Sequence, residues 1–387
     1  MPLSFLRYGA VAAALCTGLA VVSCQSPGKT SETTMTITHS PFGTVDGQPV
    51  DLYTLSNSSG MTVKITNYGG IITHLNVPDK DGKSGDVVLG FDSLSGYLQP
   101  KVPYFGALVG RYGNRIAKGT FTLDGKQYHL PINNGPNALH GGLKGFDKKV
   151  WKAEEVKTDS TVALKLHFTS PDGDEGYPGT LNVTVTYTLS ADNALRLDYE
   201  ATTDKPTVVN LTNHTYFNLA GGERDVLDHV VQLKAGRILP VDATLIPTGK
   251  YLDVKGGAFD FLEPKAIGTA INDTTDEQIR NGGGYDHCFV FDDAGNQLKA
   301  VAKVTEPTTG RVLEMETTEP ATQFYTGNFL DGNLTGKTGK PYAKRFGFCL
   351  ETEHYPDSPN QPSFPTTELR PGQTYKSSTV YRFSVTK

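Results

Sequence analysis

Cysteines, clustered basic residues and long apolar runs are all scarce in this chain. Four cysteines in 387 residues are too few for a disulfide framework. The formal net charge is −5 and no run of Lys and Arg occurs, so the sequence predicts no nucleic-acid partner, because such binding needs clustered basic side chains. The one long apolar segment, residues 8–22, falls short of the roughly 20 residues that a membrane-spanning helix requires.

Helical periodicity is equally scarce, and strand patterns take its place. Only residues 276–280 predict a helical turn or two. The dipeptide Asp124-Gly125, between two short apolar–polar alternations, suits a type I′ hairpin turn. With 18 Tyr, 18 Phe and 42 Gly and no internal repeat, the sequence predicts an all-β fold, a single large antiparallel β-sandwich domain over residues 39–387. Strict alternation, the pattern of half-buried strands, covers residues 162–168, 181–189, 195–201 and 381–385.

The N-terminus predicts a processing signal that is not part of the fold. Arg7 precedes the apolar segment, and Ser23 precedes Cys24 after two valines. A small residue directly before Cys resembles the cleavage box of bacterial lipoproteins, which implies cleavage before Cys24 and lipidation of its thiol. Residues 1–23 are thus predicted to be a lipoprotein signal peptide and residues 24–38 a flexible tether. The mature protein is expected to be exported and membrane-anchored, facing the periplasm or the cell exterior. A plain signal peptide with an incidental cysteine is the alternative.

Two cysteines remain for the body of the mature chain. Cys16 leaves with the signal peptide and Cys24 carries lipid, so Cys288 and Cys349 are left. The sequence predicts that both are buried thiols, with one disulfide between them as the alternative.

Six polar clusters interrupt the strand pattern with side chains that are costly to bury. If residues 210–219 are extended, their two-residue period puts Asn210, Thr212, His214 and Tyr216 on one face, a polar arrangement that is rare in a core and natural in a sugar cleft. Taken singly, the arginine and histidine clusters are better explained as exposed loops. The clusters are GRYGNRI (110–116), NALHGG (137–142), NLTNHTYFNL (210–219), YDHCF (285–289), QFYTGN (323–328) and CLETEHYPD (349–357).

Together and in this order, the six clusters resemble the aldose 1-epimerase (galactose mutarotase) family, over the chain from about Phe42 to the C-terminus. The resemblance implies a large β-sandwich and an isomerase that interconverts the α and β anomers of free hexoses such as glucose and galactose. It implies that Glu351 is the catalytic base and His214 the catalytic acid. It also implies six substrate-binding residues: Asn114, Arg115, His140, Tyr216, Asp286 and Gln323.

Two features depart from the family pattern. Glu353 stands where a glutamine is commoner, which adds a charge beside the base. The lipoprotein signal is unusual in a family that is mostly cytoplasmic. Within the first cluster, Arg111 precedes the binding pair and is expected to be structural.

The residue types suit the opening of a hemiacetal ring, which needs a base for the C1 hydroxyl proton and an acid for the ring oxygen. Glu and His have reference pKa values of about 4.3 and 6.5, so modest shifts bring both near working pH. Each group reverses its role when the ring closes and no redox step occurs, so the sequence predicts no cofactor and no metal. Tyr216 or Phe324 is expected to stack on the apolar face of the sugar. The predicted partners are a free aldohexose and, through the N-terminal lipid alone, a membrane; the chain is predicted to be a monomer.

Three other functions fit parts of the same residue set. Asp286 and Glu351 are the residue types of a glycoside hydrolase's carboxylate pair. A non-catalytic sugar-binding lipoprotein would need the same polar cleft. His140, His214, Asp286 and Glu351 also form a plausible metal-ligand set, although the histidines lack the close spacing of metal motifs.

Overall fold

Antiparallel β-strands account for 44% of the chain and helices for 7%. The computed structural model describes residues 35–292 and 297–386, together with Leu6 and Gly9. The predicted lipidation site Cys24 and the predicted signal peptide, apart from those two residues, lie outside the described residues. The first strand starts at Thr36, inside the range predicted as tether. The prediction of an all-β fold is confirmed.

The described residues form 27 strands and two short α-helices, with 3₁₀ turns between them. In chain order the strands are β1 (Thr36–Val45), β2 (Gln48–Ser56), β3 (Thr62–Thr66), β4 (Ile72–Pro78), β5 (Ser84–Asp86), β6 (Ala107–Val109), β7 (Arg115–Ile116), β8 (Thr120–Leu123), β9 (Lys126–His129), β10 (Ala138–Leu139), β11 (Lys152–Lys157), β12 (Thr161–Ser170), β13 (Leu181–Ser190), β14 (Ala194–Thr203), β15 (Thr207–Val208), β16 (Thr212–His214), β17 (Val230–Leu233), β18 (Arg237–Ile238), β19 (Leu252–Asp253), β20 (Lys265–Ala266), β21 (Asp286–Val290), β22 (Lys299–Thr305), β23 (Arg311–Thr317), β24 (Ala321–Tyr325), β25 (Cys349–Glu353), β26 (Glu368–Leu369) and β27 (Tyr375–Val385). The helices are α1 (Leu94–Tyr97) and α2 (Glu277–Gly282).

The largest sheet has nine strands in the order β11-β12-β13-β14-β27-β23-β22-β17-β20. Along β13 every second residue from Leu181 to Leu189 is buried and those between are partly or fully exposed, as the alternation predicted. Tyr187 lies directly opposite Leu197 of β14, so buried side chains of neighbouring strands pack on one face. Strand β27 lies in the middle of this sheet, paired on one side with β14 and on the other with β23.

Two five-stranded sheets lie beside it in the fold, and the other eight described strands form four two-stranded sheets. One follows chain order from β1 to β5, and the other has the order β19-β18-β21-β24-β25. A single cluster of buried apolar side chains contains residues of all three sheets, for example Leu55, Leu197 and Leu350. All described strands belong to one compact unit, Thr33–Lys387. The sheets therefore share a core, and the predicted β-sandwich is confirmed.

Two local predictions are also confirmed. Asp124 and Gly125 join β8 to β9 with φ angles of 52° and 74°, the two positive values that a type I′ turn needs. Helix α2 begins after Asp276, whose side chain accepts hydrogen bonds from the amides of Gln278 and Ile279, as an N-cap does.

Cys288 and Cys349 are free thiols and both are buried, so the prediction of buried thiols is confirmed and the disulfide alternative is wrong. Among the described residues, no helix has the length and apolar character needed to cross a membrane.

Candidate active site

Three neighbouring strands of the second five-stranded sheet carry polar side chains on one face. In the register of β21, β24 and β25, Cys288 lies opposite Gln323, and Gln323 lies opposite Glu351. Asp286 stands two residues before Cys288 and faces the same way, because side chains opposite each other or two apart along a strand share a face. Every residue of these strands is buried. The sheet thus places two carboxyls and an amide side by side in the protein interior.

The other predicted residues come from short ladders and tight loops. His214 ends β16 and lies opposite Ala107 of β6. Arg115 in β7 pairs with Leu139 of β10, so the chain brings it next to His140. Gly141 follows with a φ of 84°, and a Cβ there would lie 1.9 Å from the carbonyl oxygen of Gly110. A glycine is therefore required for these two loops to approach each other.

All eight predicted catalytic and substrate-binding residues line one cavity of about 510 Å³, a volume typical of small-molecule sites. The structure therefore brings together side chains from positions 114 to 351. Of the polar face predicted over residues 210–219, His214 and Tyr216 line the cavity, but Asn210 and Thr212 do not. The chain is a strand only over Thr212–His214, and Asn210 instead donates to the carbonyl oxygens of Gly113 and His354. The prediction of one continuous polar face is wrong in that half.

The two predicted catalytic side chains contact each other. His214 Nε2 lies 3.5 Å from Glu351 Oε1, and their side chains are 6% and 3% exposed. The second ring nitrogen, His214 Nδ1, lies 3.6 Å from Cys349 Sγ. The imidazole is therefore held between a carboxyl and a thiol, with little contact to bulk solvent.

Burial shifts these two groups in opposite directions, because it disfavours the charged form of each. It raises the pKa of Glu351 well above its usual value, and the carboxyls of Glu353 and Asp286 add to that rise while Arg115 opposes it. It lowers the pKa of His214 to about 3. Two groups this close titrate as a pair. Burial favours the form in which the pair holds one proton and the carboxyl carries it.

Asp286 is held from two sides. Gln323 Nε2 donates a hydrogen bond to Asp286 Oδ1 at 2.7 Å, and Arg115 Nη2 lies 4.0 Å from Oδ2. Burial raises the pKa of Asp286, while Arg115 and Gln323 act to lower it. Arg115 is fixed in turn by Asn134, whose Oδ1 accepts from Nε at 3.1 Å. These groups form a rigid set of donors and acceptors such as sugar hydroxyls require.

The hydrogen bonds of His140 bear on whether the cavity suits a metal ion. Ligand atoms of His140, His214 and Glu351 all lie within 4.8 Å of one another, which is close enough for a small metal site. His140 Nδ1, however, accepts the backbone N–H of Asn114 at 3.1 Å. We infer that the proton of this neutral imidazole is therefore on Nε2, where it leaves no lone pair for a metal. The trio fits hydrogen bonding to hydroxyl groups better than metal ligation.

Three aromatic residues line the cavity without having been assigned from the sequence: Tyr104, Tyr325 and Phe329. The Tyr104 ring lies 5.6 Å from that of His214 at an interplanar angle of 29°, and 4.6 Å from the His140 ring. No polar cluster surrounds Tyr104 in the sequence, so no local signal marked it. Tyr325 could have been predicted from the sequence, because it stands two residues after Gln323 on the same strand and therefore shares its face.

The prediction that Phe324 stacks on the sugar is wrong. Its side chain is fully buried on the opposite face of β24, where it packs against Phe261 and Tyr285. The alternation of the strand explains this, because a residue between Gln323 and Tyr325 must face away from the cavity.

Arg111 does not line the cavity, in agreement with its expected structural role. Its guanidinium is buried and donates to the carbonyl oxygens of Pro178 and Gly179 and to Ser170 Oγ. It therefore ties neighbouring loops together behind the site.

A search against protein families matches residues 51–382 of the chain to the family described as aldose 1-epimerase. Galactose mutarotase of Rattus norvegicus is 49% identical over 354 residues, which cover 91% of this chain and 99% of the relative. Aldose 1-epimerase of Escherichia coli K12 is 42% identical over 340 residues, covering 87% and 96%.

Solved structures agree with the relatives. A galactose 1-epimerase from Lactobacillus acidophilus superimposes with a TM-score of 0.81 at 28% identity, covering 92% of this chain and all of the other. An aldose epimerase homologue from C. elegans gives a TM-score of 0.78 at 31% identity, covering 86% and 98%.

Proposed function

The chain belongs to the aldose 1-epimerase family and is an isomerase that interconverts the anomers of aldoses, and from this premise we propose that Glu351 is its catalytic base and His214 its catalytic acid. The observation that carries this assignment is their contact in the cavity, at 3.5 Å. In a pyranose the hydroxyl that loses its proton and the ring oxygen that gains one are bonded to the same carbon. A base and an acid that serve both atoms at once can therefore lie side by side, as these two do.

The reaction follows from these two groups. When the proton of the pair lies on His214, the Glu351 carboxylate takes the proton of the C1 hydroxyl, and the His214 imidazolium gives a proton to O5 as the C1–O5 bond breaks. C1 becomes an aldehyde carbon, and rotation about the C1–C2 bond presents its other face to O5. On closure His214 takes the O5 proton back and Glu351 returns its proton to O1. The pair therefore holds one proton before the reaction and one proton after it.

The other cavity residues are proposed to bind and orient a free hexose, glucose or galactose. Asp286 accepts hydrogen bonds from ring hydroxyls, while Arg115 and the Nε2–H of His140 donate to them. Asn114, Tyr216 and Gln323 complete the proposed set. The name of the rat relative supports galactose as one substrate.

Polarimetry tests this function directly. Purified protein is expected to speed the optical-rotation change of α-glucose and α-galactose beyond the spontaneous rate, and to release nothing from an aryl glycoside. A rate equal to the spontaneous one would refute the proposed substrates. Activity is also expected to survive exhaustive chelation. Loss on chelation and recovery with zinc would instead favour a metal enzyme.

We also propose that Cys24 is the lipidated first residue of a monomeric mature enzyme on the outer side of a membrane. The support is the sequence alone: the apolar segment before Cys24 and the polar stretch after it. Lipoproteins carry several acyl chains, which hold far more firmly than one. Cys24→Ala is expected to release soluble protein or to block processing, whereas unchanged membrane partitioning of the variant would refute the anchor. Light scattering on the soluble body is expected to give the mass of one chain.

A further inference from the structure

One buried carboxyl lies beside the cavity without lining it. Glu353 stands two residues after Glu351 on β25, on the same face of the strand, and is 0% exposed. Its Oε1 accepts a hydrogen bond from Asn114 Nδ2 at 2.9 Å. Within residues 35–292 and 297–386, no hydrogen-bond partner is found for Oε2 of Glu353 or for Oε2 of Glu351. Each of these two buried glutamates therefore has one carboxyl oxygen that receives no hydrogen bond from the described residues.

The contact with Asn114 connects Glu353 to the sugar-binding groups. Asn114 Oδ1 accepts the backbone N–H of Arg115 at 2.9 Å and lies 3.4 Å from Arg115 Nη1. The Asn114 amide is thus fixed at both ends, with its oxygen toward Arg115 and its nitrogen toward Glu353. Through Asn114, the Glu353 carboxyl orients the guanidinium that faces Asp286.

The charges around Glu353 are mostly negative. Glu319 acts on it from the segment before β24, but the carboxyl of Glu319 is already bound by His354 Nδ1 at 2.6 Å and by the Tyr375 hydroxyl at 3.1 Å. The titratable and charged groups that act on Glu353 or respond to it are Glu351, Asp286, Glu319, Arg115, Cys288 and Tyr112.

Arg115 is the only permanent cation of that set, and it lies against Asp286. One positive charge therefore faces three buried carboxyls, those of Asp286, Glu351 and Glu353. Burial and the neighbouring carboxyls raise the pKa of Glu353 and of Glu351 well above their usual values. Two carboxyls in this situation resist ionising together.

We propose that Glu353 is a positioning residue that holds Asn114 and shares a single negative charge with Glu351, and so sets the pH range in which Glu351 works as a base. The proposal rests on the assignment of Glu351 as that base. While Glu353 bears the shared charge, Glu351 keeps its proton and is inactive. Glu351 then gives up its proton, to His214 or to solvent, less readily than a lone glutamate at this position would.

Glu353→Gln separates the two parts of this role. Glutamine keeps an oxygen that accepts from Asn114 Nδ2, but it cannot take a share of the charge. The acidic limb of the kcat/KM profile for α-galactose is expected to move to lower pH by about one unit, with little change in KM. The matched control is Glu200→Gln, a solvent-facing glutamate of β14 that pairs with Lys376, and its profile is expected to match that of the wild type.

The contrary results are distinct. An acidic limb that stays in place or moves to higher pH in Glu353→Gln would overturn the proposal, as would an equal loss of kcat at every pH. Infrared spectra supply a readout that does not depend on activity. Wild-type protein is expected to show a buried carboxylic-acid carbonyl band at neutral pH, weakened in Glu353→Gln, and its absence from the wild type would also overturn the proposal. If Glu351→Gln stays active, the base assignment fails by itself, without reference to Glu353.

Discussion

Strands β13 and β25 differ in their pattern of burial, although both lie in sheets of the same sandwich. In β13 apolar residues are buried and the polar ones between them are at least partly exposed. In β25 all five residues are buried, and three of them are Glu351, Thr352 and Glu353. Burying a carboxyl costs several kcal/mol unless it is well paired. The strand that breaks the alternation carries the glutamate that we propose as the catalytic base, and the strand that keeps it contributes to the shared core.

The largest expected effect comes from substitutions at the proposed acid–base pair, and it is an effect on the catalytic rate. Glu351→Gln and His214→Asn each remove one member of the proposed acid–base pair and are expected to lower kcat by about 10² to 10⁴. The double variant should lose less than the product of the two, because both groups act in one proton exchange. The measurement is polarimetric kcat on variants whose circular dichroism matches the wild type. If Glu351→Gln keeps more than about a tenth of the activity, Asp286 becomes the leading candidate for the base.

The converse change in the nine-stranded sheet is expected to affect stability and spare catalysis. Leu197 on β14 is 0% exposed in the shared core. Leu197→Ala should lower the free energy of unfolding by about 2–5 kcal/mol, measured by urea denaturation. The kcat of the folded fraction should be unchanged. A fall in kcat comparable to that of Glu351→Gln would mean that the two regions are not separable.

A smaller effect is expected at Asp286, the carboxyl that we propose binds the sugar. Asp286→Asn keeps the shape of the side chain but weakens its hydrogen bonds to sugar hydroxyls. KM is expected to rise about tenfold, equivalent to about 1.4 kcal/mol, with a smaller change in kcat. In this variant and in Glu351→Gln, the change in kcat is compared with the change in KM. The comparison distinguishes an effect on binding from an effect on the chemical step. A pure loss of kcat in Asp286→Asn would contradict its assignment.

The smallest expected effect is on stability: Glu351→Gln, the variant expected to lose activity, is expected to be more stable than the wild type at neutral pH. The pKa of Glu351 is raised in the folded state, whereas an unfolded glutamate ionises near pH 4.3. Above that pH the unfolded chain releases a proton that the folded one retains, so the free energy of unfolding falls as pH rises. Glu351→Gln should therefore melt at a higher temperature than wild type at pH 7, and the difference should vanish near pH 4. A variant that is less stable at pH 7 would show that the carboxyl is better compensated than its environment indicates.

The sequence predicted the regular sheet more completely than the site. Alternation alone identified β12, β13 and β14, because half-buried strands record their two environments in every second residue. It did not identify Tyr104, which reaches the cavity from a loop with a φ of 59°. It also offered Phe324 beside Tyr216 as a stacking residue and did not consider Tyr325, because an aromatic residue in a buried strand does not reveal which face it occupies until a neighbour such as Gln323 is assigned.

The sequence identified the cavity residues as a set because the order of their motifs along the chain resembles that of a family. It did not predict which of these residues contact each other. The pairing of His214 Nδ1 with Cys349 and of Asn114 with Glu353 depends on register between strands distant in sequence. Such contacts arise only when the sheets assemble.

The position of β27 constrains the order in which the nine-stranded sheet can assemble. The strand comes last in chain order, yet it joins β14 to β23 at the centre of the nine-stranded sheet. Until it arrives, both neighbours have an unpaired edge of amides and carbonyls, which is a template for aggregation. Contacts between residues so far apart in sequence also form slowly. The large sheet therefore cannot be completed before this strand is in place, and in a chain that lacks it the facing edges of β14 and β23 stay unpaired.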